Sequence, residues 1–103
     1  MAMTIETTQS GDSLAAKIIG DSLETENVAA FRAAIAPVLD RSTDITLDLS
    51  QVAFMDSTGL GAMLSCLRSV KSKGGRLKLC HLTPEVKQLF EMVLMDRVFE
   101  IAP

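Results

Sequence analysis

The segments Ile45-Thr46-Leu47-Asp48-Leu49 and Met55-Asp56-Ser57-Thr58-Gly59 lie near the middle of the chain and decide its fold. The first alternates apolar and polar side chains, which is typical of a strand that buries one face. The second is a polar loop. Apolar residues at helical spacing then follow, at Leu60, Met63, Leu64, Leu67 and Val70. A strand, a loop and a helix in this order predict one unit of an α/β fold.

The sequence on either side extends this alternation. Residues 4–8 and 14–19 have strand patterns, and the turn signal between them predicts a hairpin. Helices are predicted to begin near Val28, Leu60 and Pro84, and further strands cover residues 76–81 and 98–101. The predicted order is β-β-α-β-α-β-α-β. It indicates an α/β fold with a mixed sheet, in one domain over residues 1–103.

Capping residues predict where the first two helices begin and end. Thr25 is the expected N-cap of the first helix. Pro37 predicts a kink or a change of helix near residue 36, because proline lacks the helical N–H and clashes with the preceding turn. Gly74-Gly75 predicts the end of the second helix.

Expectations also follow for the flanks of the last elements. Thr83 is the expected N-cap of the third helix, which should continue through Val93 and Leu94. Val52 and Phe54 are expected to pack onto the core after the central strand.

Composition argues against several classes of function. The 103 residues carry a net charge of −3, without the basic footprint of a nucleic-acid-binding protein. No apolar run approaches the roughly 18 residues of a membrane span, and no signal peptide is visible, so a cytoplasmic location is expected. The single histidine, His81, and the two cysteines, Cys66 and Cys80, are few for catalysis or metal binding. We therefore expect no enzyme activity, no metal and no cofactor, and two cysteines packed in the core.

The loop Asp56-Ser57-Thr58 has two interpretations from its residues alone. All three residue types are good helix caps, so the loop could simply begin the helix. Two glycines at the helix start, Gly59 and Gly61, are unfavourable inside a helix and indicate close approach of another backbone. Met55 and Leu60 flank the loop, and an exposed apolar rim around hydroxyl groups would be typical of a protein interface.

The segments Asp48-Leu49-Ser50 and Phe54-Met55-Asp56-Ser57-Thr58-Gly59-Leu60-Gly61 closely resemble the motif of STAS domains. Among these, the chain is similar to the bacterial anti-sigma factor antagonists, whose motif reads Asp-Ser-Ser-Gly-Leu-Gly. The resemblance extends to Gly74-Gly75, Leu77-Lys78-Leu79-Cys80 and residues 83–90. It implies the STAS fold, with helices packed largely on one side of the mixed sheet.

The resemblance also implies a function for the loop. In the family, the serine after the motif aspartate, here Ser57, is phosphorylated by an anti-sigma factor that is a serine kinase with an ATP-binding, histidine-kinase-like fold. The unphosphorylated antagonist binds this kinase and frees the sigma factor, and a metal-dependent serine phosphatase resets the switch. The residues implied in partner binding are Asp21, Glu24, Met55, Asp56, Thr58, Gly59, Leu60 and Gly61.

The chain departs from the family pattern in three places. The usual Gly-x-Leu-Asp after the second strand is here Gly20-Asp21-Ser22-Leu23-Glu24, so either Asp21 or Glu24 could supply the acidic contact to the kinase. Thr58 stands where serine is common. A final helix found in many members has no counterpart before Pro103, which would expose part of the helical layer or leave room for a partner.

Two other functions remain as alternatives. Free-standing STAS proteins also serve as subunits of membrane transport complexes, such as ABC transporters, or as other signalling scaffolds. An enzyme is less expected, because Ser57 lies outside a Gly-x-Ser-x-Gly motif and no histidine is near it in sequence.

Overall fold

The computed structural model describes residues 3–102 of the chain. The strands are β1 (Thr4–Ser10), β2 (Ser13–Ile19), β3 (Ser22–Leu23), β4 (Asp44–Asp48), β5 (Phe54–Met55), β6 (Arg76–Cys80) and β7 (Glu100–Ile101). The helices are α1 (Val28–Leu39), α2 (Ser57–Ser72) and α3 (Pro84–Met92), followed by a 3-10 turn at Met95–Arg97. Every predicted element is present, and β3, β5 and the 3-10 turn are additions.

Five of the strands form one mixed sheet, in the order β1-β2-β4-β6-β7. β1 and β2 pair antiparallel, and every other neighbouring pair is parallel. Parallel neighbours need a long crossover connection, which α1, α2 and the α3 segment supply in turn. The predicted hairpin followed by parallel strands is confirmed.

Alternation along the strands directs one face of this sheet into the core. The buried strand residues are Leu14, Ala16, Ile18, Ile45, Leu47, Leu77 and Leu79. Phe31, Met63 and Phe90 of the three helices belong to the same buried cluster. A one-residue slip of the register would move the apolar side chains of a strand to the other face. Each large side chain that left the core would lose roughly 1.5–3 kcal/mol of burial free energy. The register is therefore strongly specified, and most side chains on the helix-free face are polar.

A second, two-stranded sheet was not predicted. β3 and β5 pair in parallel, with Ser22 opposite Phe54 and Leu23 opposite Met55. Val52 is buried as expected, but Phe54 points outward with 53% of its surface exposed, so its predicted place in the core is wrong. Because neighbouring strand residues face opposite ways, burying Met55 exposes Phe54.

The ends of α1 differ from prediction. Asn27, not Thr25, occupies the N-cap position, without a side-chain capping bond. The helix also passes through Pro37 and ends at Leu39, so no change of helix occurs there. Pro37 lies within the last turn of α1, where only two further helical residues follow it.

The predicted end of α2 at Gly74-Gly75 is confirmed. Gly74 has the left-handed φ of 74°. Its N–H donates to the Lys71 carbonyl, and the Gly75 N–H donates to the Val70 carbonyl. This pair of bonds is the Schellman motif, which satisfies carbonyls at the helix end.

The end of the described chain is less regular than predicted. α3 stops at Met92, so Val93 and Leu94 are not helical, and both side chains are exposed. The helix ends because Leu94 takes a left-handed φ of 60°. The last strand is only Glu100–Ile101, because Val98 caps the 3-10 turn in a helical conformation and the Val98 and Phe99 N–H groups both donate to the Met95 carbonyl.

Gly59 confirms the expectation of close backbone approach, whereas Gly61 does not. A Cβ on Gly59 would lie 2.1 Å from the Leu23 carbonyl oxygen and 2.8 Å from Cγ of Met55. A Cβ on Gly61 would meet nothing within 4 Å. The first turn of α2 therefore packs directly on the backbone of β3.

Gly59→Ala should lower the free energy of unfolding by about 1–3 kcal/mol or more, because backbone must move to admit the methyl group. Gly61→Ala is the matched control on the same helix turn. It should raise the free energy of unfolding by about 0.5–1 kcal/mol, since alanine favours helix where space is open. Urea denaturation measures both free energies of unfolding. Equal effects of the two substitutions would contradict the close packing of Gly59 against the Leu23 backbone.

Candidate functional site

The polar loop of the sequence lies where β3 and β5 end and α2 begins. Asp56 follows β5 directly and is the N-cap of α2. Its backbone N–H donates to the Leu23 carbonyl over 3.3 Å, which continues the β3–β5 pairing by one bond. The small sheet thus sets the position at which α2 starts.

The Asp56 carboxylate connects α2 to the turn that precedes α1. Its Oδ1 accepts the Gly59 N–H at 2.9 Å, as an N-cap should. Its Oδ2 accepts from Thr25, through the backbone N–H at 3.0 Å and the hydroxyl at 3.1 Å. The Thr25 and Thr58 hydroxyl oxygens are 3.0 Å apart and share a hydrogen bond. Thr25 is therefore a site residue, although its place in the sequence predicts only a helix cap.

These bonds hold Asp56 in its charged form. The hydrogen bond from the Gly59 N–H is the main reason that its pKa lies below the usual aspartate value. Partial burial raises the pKa by less than this bond lowers it, and the two Thr25 donors lower it further. A negative charge at the start of α2 also interacts favourably with the helix dipole.

Ser57 is the first helical residue of α2, and its side chain is exposed. Within residues 3–102 its hydroxyl makes no hydrogen bond. The arrangement leaves the Ser57 side chain unbonded by the described residues. It presents a free hydroxyl to an incoming group.

The two acidic candidates lie on either side of β3. Asp21 is exposed, and its carbonyl accepts the Ala53 N–H at 2.8 Å. Glu24 is half-buried, and its backbone N–H donates to the Asn27 side chain at 2.8 Å. Because Leu23 pairs with Met55, the parallel register places Glu24 beside Asp56.

The prediction that Met55 and Leu60 form an exposed apolar rim around the loop is wrong. Met55 is 4% exposed and Leu60 is 8% exposed, because both belong to the core beneath the loop. Exposed apolar surface comes instead from Phe54 and from Met92 of α3, which is 75% exposed. These two side chains line one groove, together with Met55, Glu85, Gln88 and Leu89. Of the two motif glycines, Gly59 is buried and Gly61 half-buried.

None of the helices within residues 3–102 combines the length and apolar character that crossing a membrane requires.

The model of the STAS domain family matches residues 4–103. The chain belongs to the STAS domain family. Its sequence is 26% identical over 102 residues to the anti-sigma-B factor antagonist of Bacillus subtilis, covering 99% of this chain and 93% of that protein.

Solved structures share the fold of this STAS domain. An anti-sigma factor antagonist from Mycobacterium paratuberculosis superposes with a TM-score of 0.84 at 19% identity, over 99% of this chain and 86% of that one. The anti-sigma factor antagonist SpoIIAA, in its unphosphorylated form, superposes with a TM-score of 0.75 at 24% identity. The match covers 99% of this chain and 89% of that one. The phosphorylated form of SpoIIAA, a cell fate determinant of Bacillus, superposes with a TM-score of 0.69 at 23% sequence identity. The match covers 99% of this chain and 92% of that one.

Asp56→Asn should lower the melting temperature most at neutral pH and progressively less in acid. The folded-state pKa of Asp56 is depressed, so its stabilisation is fully present above the ordinary aspartate value of about 3.9 and is lost as the pH falls through the folded value. Thermal melts of both proteins between about pH 7 and pH 2 measure the difference.

Thr25→Val provides the comparison, because it removes one donor to Asp56 and leaves the Gly59 N–H in place. Thr25→Val should lower the melting temperature at neutral pH by less than Asp56→Asn does, and this loss should also shrink in acid. If the melting temperatures of wild type and Asp56→Asn differed by the same amount at every pH, the charged carboxylate would not be the source of the stabilisation.

Proposed function

We propose that this STAS domain is an anti-sigma factor antagonist that works as a phosphorylation-controlled partner switch. In the unphosphorylated form it binds an anti-sigma factor that is a serine kinase, and phosphorylation of Ser57 releases it. A metal-dependent serine phosphatase restores the first state, and the cycle takes place in the cytoplasm. The domain acts by binding rather than by catalysis.

The observation that carries this proposal is the free hydroxyl of Ser57 at the start of α2. Its neighbours make the structural bonds, since Asp56 caps the helix and contacts Thr25. A kinase can therefore modify Ser57 without breaking a bond of the fold. The similarity to proteins named anti-sigma factor antagonists supports the assignment of the partner class.

Electrostatics explain how phosphorylation would release the kinase. A phosphoserine adds about −1.5 to −2 charge at neutral pH. It would stand next to the Asp56 carboxylate, with Glu24 beside Asp56 in the β3–β5 register. A partner surface shaped for a neutral hydroxyl would have to bury this charge unpaired, which costs several kcal/mol. The dipole and free N–H groups at the start of α2 tolerate a phosphate, so the domain itself stays folded.

The proposed contact surface combines exposed and buried members of the motif. Asp21, Glu24 and Ser57 offer polar contacts. The outward side chain of Phe54 adds an apolar contact beside them. Most of the remaining residues implied by the family hold the surface in shape: Met55, Asp56, Thr58, Gly59 and Leu60. Gly61 borders open space on α2 and leaves room for a partner.

Incubation with the serine kinase encoded nearest to this gene, with Mg²⁺ and ATP, should add one phosphate at Ser57. Peptide mapping by mass spectrometry locates it. Thr58→Ala is the control, because it removes the neighbouring hydroxyl and should still be phosphorylated, whereas Ser57→Ala should not. A phosphate on any other residue would rule out the assignment.

Ser57→Asp should weaken kinase binding by about 100-fold or more, the equivalent of roughly 3 kcal/mol. Ser57→Asn is the matched control, since it has nearly the same shape without the charge and should bind within a few-fold of wild type. Calorimetric titration of the kinase measures both affinities, and circular dichroism checks folding. Equal affinities of the two variants would contradict the charge mechanism.

The neighbouring genes separate this proposal from the transport-complex alternative. A serine kinase or phosphatase gene beside this one favours the switch, whereas genes for transporter components favour the alternative.

A further inference from the structure

Three potential metal ligands meet on the helix-free side of the sheet, at the carboxyl ends of β4 and β6. They are Asp48, Cys80 and His81, and their ligand atoms all lie within 4.8 Å of one another. His81 Nδ1 is 3.2 Å from Asp48 Oδ2. The cluster takes no part in the Ser57 site described above.

The strand register brings two of the three together. Asp48 and Cys80 are partners in the parallel β4–β6 pair, so both side chains leave the same face of the sheet. Their strand neighbours Leu47 and Leu79 are buried on the opposite face. Cys80, expected in the core, is therefore only half-buried, while Cys66 of α2 is fully buried.

A left-handed residue brings in the third ligand. In a regular strand, His81 would point away from Cys80, to the helix side. Instead β6 ends at Cys80 and His81 has a φ of 56°, a conformation unfavourable for a residue with a Cβ. The alternation is broken there, and the imidazole lies against Asp48 with 67% of its side chain exposed.

A backbone donor orients the carboxylate. Asp48 Oδ1 accepts the Ser50 N–H at 2.8 Å, which leaves Oδ2 directed at His81. An outer hydrogen bond of this kind fixes a ligating carboxylate in metal sites.

The donor set selects the class of metal. Mg²⁺ and Ca²⁺ prefer oxygen ligands, whereas thiolate and imidazole favour Zn²⁺ and related transition metals. Around a tetrahedral Zn²⁺, with bonds of about 2.0–2.3 Å, neighbouring ligand atoms would be about 3.3–3.6 Å apart. The imidazole and carboxylate, 3.2 Å apart, are within about 0.1 Å of that range, and the thiol needs a shift of at most about 1.5 Å to reach it.

We propose that Asp48, Cys80 and His81 form a three-ligand site for Zn²⁺ or a similar divalent transition metal. The Cys80 thiol loses its proton to solvent when the metal binds. Three protein ligands leave one tetrahedral position open on the exposed side, for water or for a ligand atom from a binding partner. The site joins the ends of β4 and β6 and stands independently of the proposed switch at Ser57.

The full chain without an affinity tag, kept reduced, should bind one Co²⁺ and give the near-ultraviolet absorption of a cobalt–thiolate bond. Zn²⁺ should displace the Co²⁺, and excess Mg²⁺ should not. Cys80→Ser, His81→Asn and Asp48→Asn should each weaken Zn²⁺ binding by about 10-fold or more in calorimetric titration. Asparagine tolerates the left-handed backbone at position 81, so that variant keeps the chain path.

Cys66→Ser is the matched control, because it removes the other cysteine from inside α2 and should leave both Co²⁺ absorption and Zn²⁺ affinity unchanged. Circular dichroism confirms that each variant is folded. The proposal is overturned if the wild-type chain shows no cobalt–thiolate absorption, if binding survives unchanged in Cys80→Ser or His81→Asn, or if Cys66→Ser abolishes it.

Discussion

The Asp56 carboxylate joins two segments of chain that secondary structure alone would leave unconnected. One oxygen accepts a backbone N–H of α2 at Gly59, and the other accepts both donors of Thr25, in the turn before α1. The two can meet only because Gly59 has no side chain and α2 packs against the Leu23 carbonyl. The position of Ser57 depends on this contact and on the carboxylate that secures it.

Ser57 and the residues around it have separate roles, which bears on the proposed switch. The residues around Ser57 supply the cap, the cross-links and the core contacts, and Ser57 itself supplies none within the described chain. A group that takes no part in the fold can change its charge without unfolding the domain, so the effect of the proposed phosphorylation would fall on the partner. The buried Met55 and Leu60 belong to the supporting side of this division and not to an exposed rim.

Both candidate sites lie where strands end, as is common in α/β proteins. The Ser57 site uses the small β3–β5 sheet, and the Asp48–Cys80–His81 cluster uses the main sheet. The helices cover only one face of the main sheet, so polar and metal-ligating side chains can collect on the other face without disturbing the core. The two sites differ in chemistry: hydroxyl groups surround the carboxylate at one, and sulfur and nitrogen donors accompany it at the other.

The order of the main elements, the mixed sheet, the Gly74 helix end and the polar loop could all be predicted from the sequence. These follow from periodicity and capping, which act over a few residues. Tertiary packing sets the β3–β5 pair, since two-residue strands are too short to show a period. It also decided the partners of Asp56 and Asp48, because Thr25 is 31 residues from Asp56 and His81 is 33 from Asp48. Contacts at such separations depend on how whole elements pack, which no local pattern records.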